Sequence, residues 1–189
     1  NGSAYIGEQL ESIQKNELPP GAELKILVLD DASRPEEYEK LLATSSRWSN
    51  IRVERNARNM GVIRTFERGL EMSQGDYIML CDQDDIWLPH KIRVTLDKMT
   101  ELENNSPALV FTNLTTVDGS LNVLTEKMLN RERYDSQKER DALLFQNIVT
   151  GCTVMLNRAL VHFALPFPQG IAMHDHWLAV CAAFAGRIG

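Results

Sequence analysis

Long apolar runs are missing from this 189-residue sequence. The longest candidate, "LAVCAAFA", falls well short of the roughly 18 to 20 residues that span a bilayer, so no transmembrane segment is expected. No stretch shows the basic-then-apolar pattern of a signal peptide. Cysteine is scarce: Cys81, Cys152 and Cys181 are odd in number, far apart, and form no CxxC pair. They read as reduced core residues of a cytoplasmic protein, not as a disulfide framework or a zinc knuckle. Positive charge is also short, 20 basic against 26 acidic residues for a net −6, which argues against nucleic acid as the main partner. No repeat, low-complexity tract or linker divides the chain, so a single domain over residues 1–189 is expected. The first residue is Asn and the last a Gly after "GRI", and both ends are expected to be cuts inside a longer chain.

What remains is ordinary globular composition, 43% hydrophobic and 24% charged. Ile6, Leu10 and Ile13 at helical spacing predict a helix over 3–15, ended by "ELPPG". "LKILVL" reads as a buried strand. "SRPE" supplies Ser33 as N-cap, Pro35 and a capping-box Glu36 for a helix to about Arg47. "IRVER" is a second strand. "NMGVIRTFERGLEMSQG" is an amphipathic helix built on Val62, Phe66 and Leu70, with Gly75 as stop. "DYIMLC" is a third strand, followed by a helix from Pro89 to about Glu103. This β-α-β-α-β-α order predicts a mostly parallel sheet flanked by helices. The second half is mixed: a strand "ALVFTNLTTV", a hairpin at Asp118-Gly119, a helix opened by the Ser136–Glu139 capping box, a strand "TVMLN", and a helix "HDHWLAVCAAFAG".

Acidic residues gather at strand ends. "LVLDDAS" places Asp30 and Asp31 after the first strand, and "MLCDQDDIW" places Asp82, Asp84 and Asp85 after the third. Ligands of open α/β sheets bind beyond such carboxyl ends. Two carboxylates about 4 Å apart repel by on the order of 4 kcal/mol at an effective dielectric near 20, which a divalent cation would offset. If the chain stays extended through Gln83, Asp82 and Asp84 project to one side and suit Mg²⁺ or Mn²⁺. Asp85 reads as a turn former ahead of Pro89. In "MHDHWLAV", Asp175 is either a helix cap or a reactive carboxylate, and His174 and His176 lack a third ligand at zinc spacing. Trp87 and Trp177, each two residues past an acid, are either core or sugar-stacking platforms.

In this order the motifs resemble the family 2 glycosyltransferases of the nucleotide-sugar-dependent GT-A fold. "NGSAYIGEQLESI" resembles the segment after the family's first strand, which is itself absent here. "VLDDAS" is similar to its "DDGS" motif, with Ala32 where Gly is common. "RNMGVIRTFERGLEMSQGDYIMLCDQDDIWLPHKI" resembles its central block, and "NIVTGCTVMLNRAL" and "MHDHWLAV" its later glycine-cysteine and catalytic-base segments. The "DQDDIW" and "HD" forms are similar to bacterial cell-surface polysaccharide transferases, rhamnosyltransferases among them.

The resemblance implies an inverting transferase that moves sugar from a nucleotide-diphosphate donor, dTDP- or UDP-linked, to a saccharide or lipid-linked saccharide hydroxyl. It makes Asp175 the general base and Asp84, with Asp82 and His174, the Mn²⁺ or Mg²⁺ site. Asp30 or Asp31 contacts the donor's base, Asp82 lies near the ribose, Arg64 contacts the diphosphate, and Gly151 lets backbone approach the donor sugar. Localisation would be cytoplasmic, with peripheral association at the inner membrane face. Two alternatives stay open on the residues alone. One is a haloacid-dehalogenase-type phosphohydrolase with Asp82 as nucleophile and Asp84 as acid/base; the other is a nucleotide-sugar-binding module without turnover.

Overall fold

The computed structural model describes residues 2–102, 105–127, 140–141 and 143–189. The Ser136–Glu139 capping box of the expected helix lies outside them; of that segment, residues 140–141 are helical and 143–145 form a turn. Helix α1, Ile6–Gln14, buries Ile6, Gln9, Leu10 and Ile13, the face its spacing predicted. Strand β1, Ile26–Asp30, pairs in parallel with β2, Ile51–Arg55. Helix α2, Pro35–Ser45, joins them and starts with Pro35 in its first turn. Ser33 is not its cap, contrary to expectation; Arg34 occupies that position without a side-chain bond. The reason is local competition. The Asp30 carboxylate takes the Ser33 N–H at 3.2 Å, and Arg55 donates to the Ser33 carbonyl.

Helix α3, Gly61–Met72, follows β2. Its inward face is Ile63, Phe66 and Leu70; Val62, expected there, is half exposed. Strand β3, Tyr77–Met79, and helix α4, Lys91–Leu102, come next. β3 does not bond to β1. It pairs antiparallel with β7, Val154–Asn157, which also pairs antiparallel with β4, Ala108–Phe111. A short β8, Arg187–Ile188, lies parallel to β4, an addition to the elements expected. The Asp118 hairpin forms as β5, Thr116–Val117, and β6, Val123–Thr125, with Asp118 accepting from the Ser120 and Asn122 N–H groups.

After β7, helix α5, Arg158–Ala164, is capped by Asn157, whose side chain accepts from the Leu160 N–H. Helix α6, His174–Ala185, packs its apolar face on the second sheet. Leu109, Val154, Leu156, Leu160, Leu178 and Ala182 are sealed from solvent there. Each buried Leu or Val contributes about 1.5–3 kcal/mol, so this half of the molecule holds the densest core. The site residues stand on its rim, at the carboxyl end of β3 and the amino ends of β7 and α6.

Candidate active site

The acidic run after β3 does not continue extended. The chain turns at Gln83 and Asp84, and the Asp82 N–H donates back to the Asp85 carboxylate at 3.2 Å. That turn overturns the expectation that Asp82 and Asp84 share a side through an extended backbone. Asp82 and Asp85 come together instead, joined by Cys152 from the turn before β7; their ligand atoms lie within 4.8 Å of one another. Asp84 sits exposed on the turn, near enough to act electrostatically on both. The sequence alone reads Asp85 as a turn former and Cys152 as core. The signal for Asp85 is the repulsion within the acid run itself; nothing local marks Cys152.

Burial raises the Asp82 carboxyl above its ordinary value, and Asp85, Asp84 and Asp175 add to the rise. Asp85 is raised by burial too, against the opposing Asp82 N–H and the Cys152 thiol. Burial, then the charges of Asp85 and Asp82, push the Cys152 thiol up to about 12. Cys152 therefore keeps its proton and serves Asp85 as a hydrogen-bond donor. Lys91, at the start of α4, is a nearby cation that no motif in the sequence singles out. Burial lowers its pKa against the pull of Cys152 and Asp85, and its Nζ reaches Thr112 Oγ1 at 3.3 Å. A close-set pair of carboxylates, Asp82 exposed and Asp85 half-buried, with raised affinity for protons is a fit for a hard divalent cation, which would relieve the same repulsion.

Asp175 stands in the first turn of α6 but does not cap it; Met173 holds that position. The carboxylate is buried, and its Oδ2 accepts from the Gly151 N–H at 2.9 Å. Its Oδ1 accepts from Asn147 Nδ2 at 3.0 Å and from the His176 N–H at 2.7 Å. Asp175 lies near enough to Asp82 for its charge to act on that carboxylate. A Cβ on Gly151 would stand 3.0 Å from His174 Nε2 and 3.4 Å from Asp175 Oδ2. The close approach that needs glycine here is therefore to these two side chains. His174 stacks on Phe66, centroids 4.0 Å apart, and burial lowers its pKa while Asp175 opposes. Both of its ring nitrogens are buried without a partner among the described residues, and it does not join Asp82, Asp85 and Cys152 as a potential ligand.

The first acid pair is heavily engaged. Asp30 is buried and paired with Arg55 Nε at 3.0 Å. Asp31 accepts from the N–H groups of Met60 and Gly61 at the head of α3, at 2.8 and 2.9 Å, and from Asn56 Nδ2 at 2.7 Å. Burial alone would raise its pKa; Asn56, Met60 and Gly61 outweigh it and hold the carboxyl low. Between the two, Asp31 is the more exposed. Ala32 follows at φ +58°, the left-handed region that favours glycine.

Three expectations change. Trp87 is buried against Ile13 and Ile92, so its indole packs the core and cannot lie on a sugar. Trp177 is packed against the core and spends its indole N–H on the Ala164 carbonyl at 3.0 Å, tying α6 to α5. Arg64 is committed to Glu67 and the Phe167 carbonyl. Glu67 is itself buried, accepting from the Phe167 N–H at 2.7 Å.

The family model described as Glycosyl transferase family 2 matches residues 1–162. The chain belongs to that family. WfgD of Escherichia coli, named a UDP-Glc:alpha-D-GlcNAc-diphosphoundecaprenol beta-1,3-glucosyltransferase, is 27% identical over 180 residues, 94% of this chain and 64% of WfgD. An E. coli UDP-Gal:alpha-D-GlcNAc-diphosphoundecaprenol beta-1,3-galactosyltransferase is 27% identical over 97 residues, 51% of this chain and 34% of that protein. Among solved structures, the mannosyltransferase PcManGT of Pyrobaculum calidifontis, in complex with GDP-Man and Mn²⁺, superposes with TM-score 0.71 at 14% identity, covering 98% of this chain and 50% of that one. S. aureus TarS with UDP-GlcNAc gives TM-score 0.71 at 20% identity, covering 99% and 52%. The family 2 chain thus has the GT-A fold expected of it and spans half to two thirds of the length of WfgD, PcManGT and the TarS fragment 1-349, and a third of TarS itself. The phosphohydrolase alternative falls with this membership.

Proposed function

We propose that the chain carries the donor site and catalytic base of an inverting glycosyltransferase acting from a nucleotide-diphosphate sugar on a lipid-linked saccharide. The observation that carries the reading is the nearness of two carboxylate sets: the Asp82–Asp85 pair, and Asp175 close enough for its charge to act on Asp82. Asp82 and Asp85 would hold a divalent cation, with Asp84 at the rim and the Cys152 thiol fixing Asp85. When bound, the cation supplies positive charge to the diphosphate oxygen that gains electrons as the sugar departs. Asp31 offers the acceptor for the donor base's N–H, and Asp30, locked to Arg55, shapes the loop beneath it.

Asp175 takes the proton from the attacking acceptor hydroxyl. Asn147 and Gly151 set the plane of its carboxylate before substrate arrives, which is the positioning general base catalysis requires. Direct attack opposite the departing diphosphate inverts the anomeric centre. UDP is favoured over dTDP because both E. coli relatives are named for UDP-sugars, and their names also supply the diphosphoundecaprenol acceptor class. Such a lipid-linked acceptor supports the reading that the protein works at the inner face of the membrane, although no helix among the described residues is long and apolar enough to cross one.

A binding module without turnover is the alternative that the acid set alone does not separate. Incubation of the protein with UDP-Glc or UDP-Gal, a GlcNAc-diphospholipid and Mn²⁺ decides it. UDP release that needs both cation and acceptor supports transfer, and saturable donor binding without release supports the module.

A further inference from the structure

The loop between β3 and α4, residues 80–90, carries Asp82, Asp84 and Asp85 yet contains no strand or helix of its own. Its acids repel one another, and a backbone free to turn would spread them. What holds it is helix α1. Gln9, Ser12 and Asn16 stand at i, i+3 and i+7, the spacing of one helix face, with Asn16 two residues past the end of α1. Gln9 Nε2 donates to the Cys81 sulfur and to the Asp82 carbonyl. Ser12 Oγ accepts the Trp87 N–H at 3.0 Å. Asn16 Oδ1 accepts the Ile92 N–H at 3.0 Å, in the first turn of α4, where backbone donors have no partner within their own helix. The ladder is braced from behind. Ser12 Oγ donates to the Gln9 carbonyl at 2.7 Å, and Asn16 Nδ2 to the Ser12 carbonyl at 3.0 Å.

Gln9 and Asn16 are 3% and 8% exposed, and amides are buried that far only where hydrogen bonds offset the lost water. An apolar contact already joins these elements, since Ile13 packs with Trp87 and Ile92. Apolar packing is non-directional and would let the loop slide. Bonds to the Asp82 carbonyl and to the Trp87 and Ile92 N–H groups fix its register instead. The first two of these pins bracket the span that bears Asp84 and Asp85.

We infer that Gln9, Ser12 and Asn16 are positioning residues for the cation site, α1 holding the acid loop so that the ligand atoms of Asp82 and Asp85 stay within 4.8 Å of one another. The inference rests on the reading of those two carboxylates as cation ligands. None of the three side chains is itself a ligand; each acts through the loop's main chain. The cost of gathering like charges is then met when the chain folds, so the cation meets a site already formed. Groups that orient metal ligands from behind change affinity by about 10–100-fold when removed.

The test titrates Mn²⁺ alone into the full chain by calorimetry, well below Tm and at neutral pH. Gln9→Met keeps the length of the side chain and loses its donor; Ser12→Ala loses the acceptor for Trp87, and Ser12→Thr restores it. The Kd for Mn²⁺ should rise about 10-fold or more in Gln9→Met and Ser12→Ala, and stay within about twofold of the unsubstituted chain in Ser12→Thr. Turnover lost in Ser12→Ala should return at about tenfold higher Mn²⁺, which a general loosening of the fold would not allow. Unchanged affinity in Gln9→Met and Ser12→Ala overturns the inference, as does a Ser12→Thr variant no better than Ser12→Ala. Equal binding by every variant sinks the inference alone. An unsubstituted chain that binds no Mn²⁺ removes the cation reading of Asp82 and Asp85, and the inference with it.

Discussion

The Asp175 carboxylate accepts the Gly151 N–H at 2.9 Å, fastening the amino end of α6 to the turn that leads into β7. Cys152, the next residue, is hydrogen-bonded to Asp85. Two consecutive residues thus hold the base candidate and the acid cluster at a fixed separation.

Replacing the base separates chemistry from binding. Asp175→Asn keeps the shape and an acceptor oxygen for Gly151 but removes the proton sink. Turnover should fall about 10³-fold, within the range for loss of a general base, with donor binding unchanged by calorimetry. Loss of donor binding in a folded variant would refute the assignment.

Crowding the turn should also be felt. Gly151→Ala puts a methyl 3.0 Å from His174 Nε2, so His174 and Asp175 must give way by a few tenths of an ångström. Stability should drop by about 1 kcal/mol, and kcat should fall more than KM rises. Full kcat in the Gly151→Ala variant would show that the spacing of this turn is irrelevant to catalysis.

The cation should stabilise the protein most at neutral pH. Asp82 and Asp85 have folded pKa values raised above 3.8. The folded state therefore binds their protons more tightly than the unfolded chain does. That advantage is complete below 3.8 and is lost as pH rises through the raised values. Above them the ionised pair strains the fold, and Mn²⁺ relieves it. The Tm gain on adding Mn²⁺ should be larger at about pH 7 than at about pH 4.5. Asp85→Asn should raise the cation-free Tm at neutral pH and shrink that gain; an undiminished gain would remove Asp85 from the site.

The acid loop carries correctable strain. Ala32 holds φ +58°, a conformation that disfavours a Cβ by about 1–2 kcal/mol, partly offset by the greater unfolded-state freedom of glycine. Ala32→Gly should therefore stabilise the chain by about 0.5–1 kcal/mol in urea titration. A lower midpoint would contradict the backbone account.

Much of this site is legible because its residues are ordered by the chain. Asp30, Asp31, Asp82 and Asp84 follow apolar runs, and strand ends are where an α/β sheet opens. Asp175 can be named only through the family resemblance, since locally it looks like a helix cap. Cys152 and Asn147 are invisible in sequence because their roles arise from packing between segments far apart in the chain. Trp87 and Trp177 mislead for the same reason: proximity in sequence to an acid says nothing about which way an indole faces. Ser33 fails as a cap because Asp30 wins its N–H, a contest between two valid local rules.

Asp31 holds the head of α3 by two backbone N–H groups, and Phe66, on the second turn of that helix, lies flat against His174 beside Asp175. α3 is thus a stiff spar between the loop proposed to read the nucleotide and the carboxylate proposed to take the proton. Loosening its footing at Asp31 would be felt at the reacting end without any change to the groups that stand there.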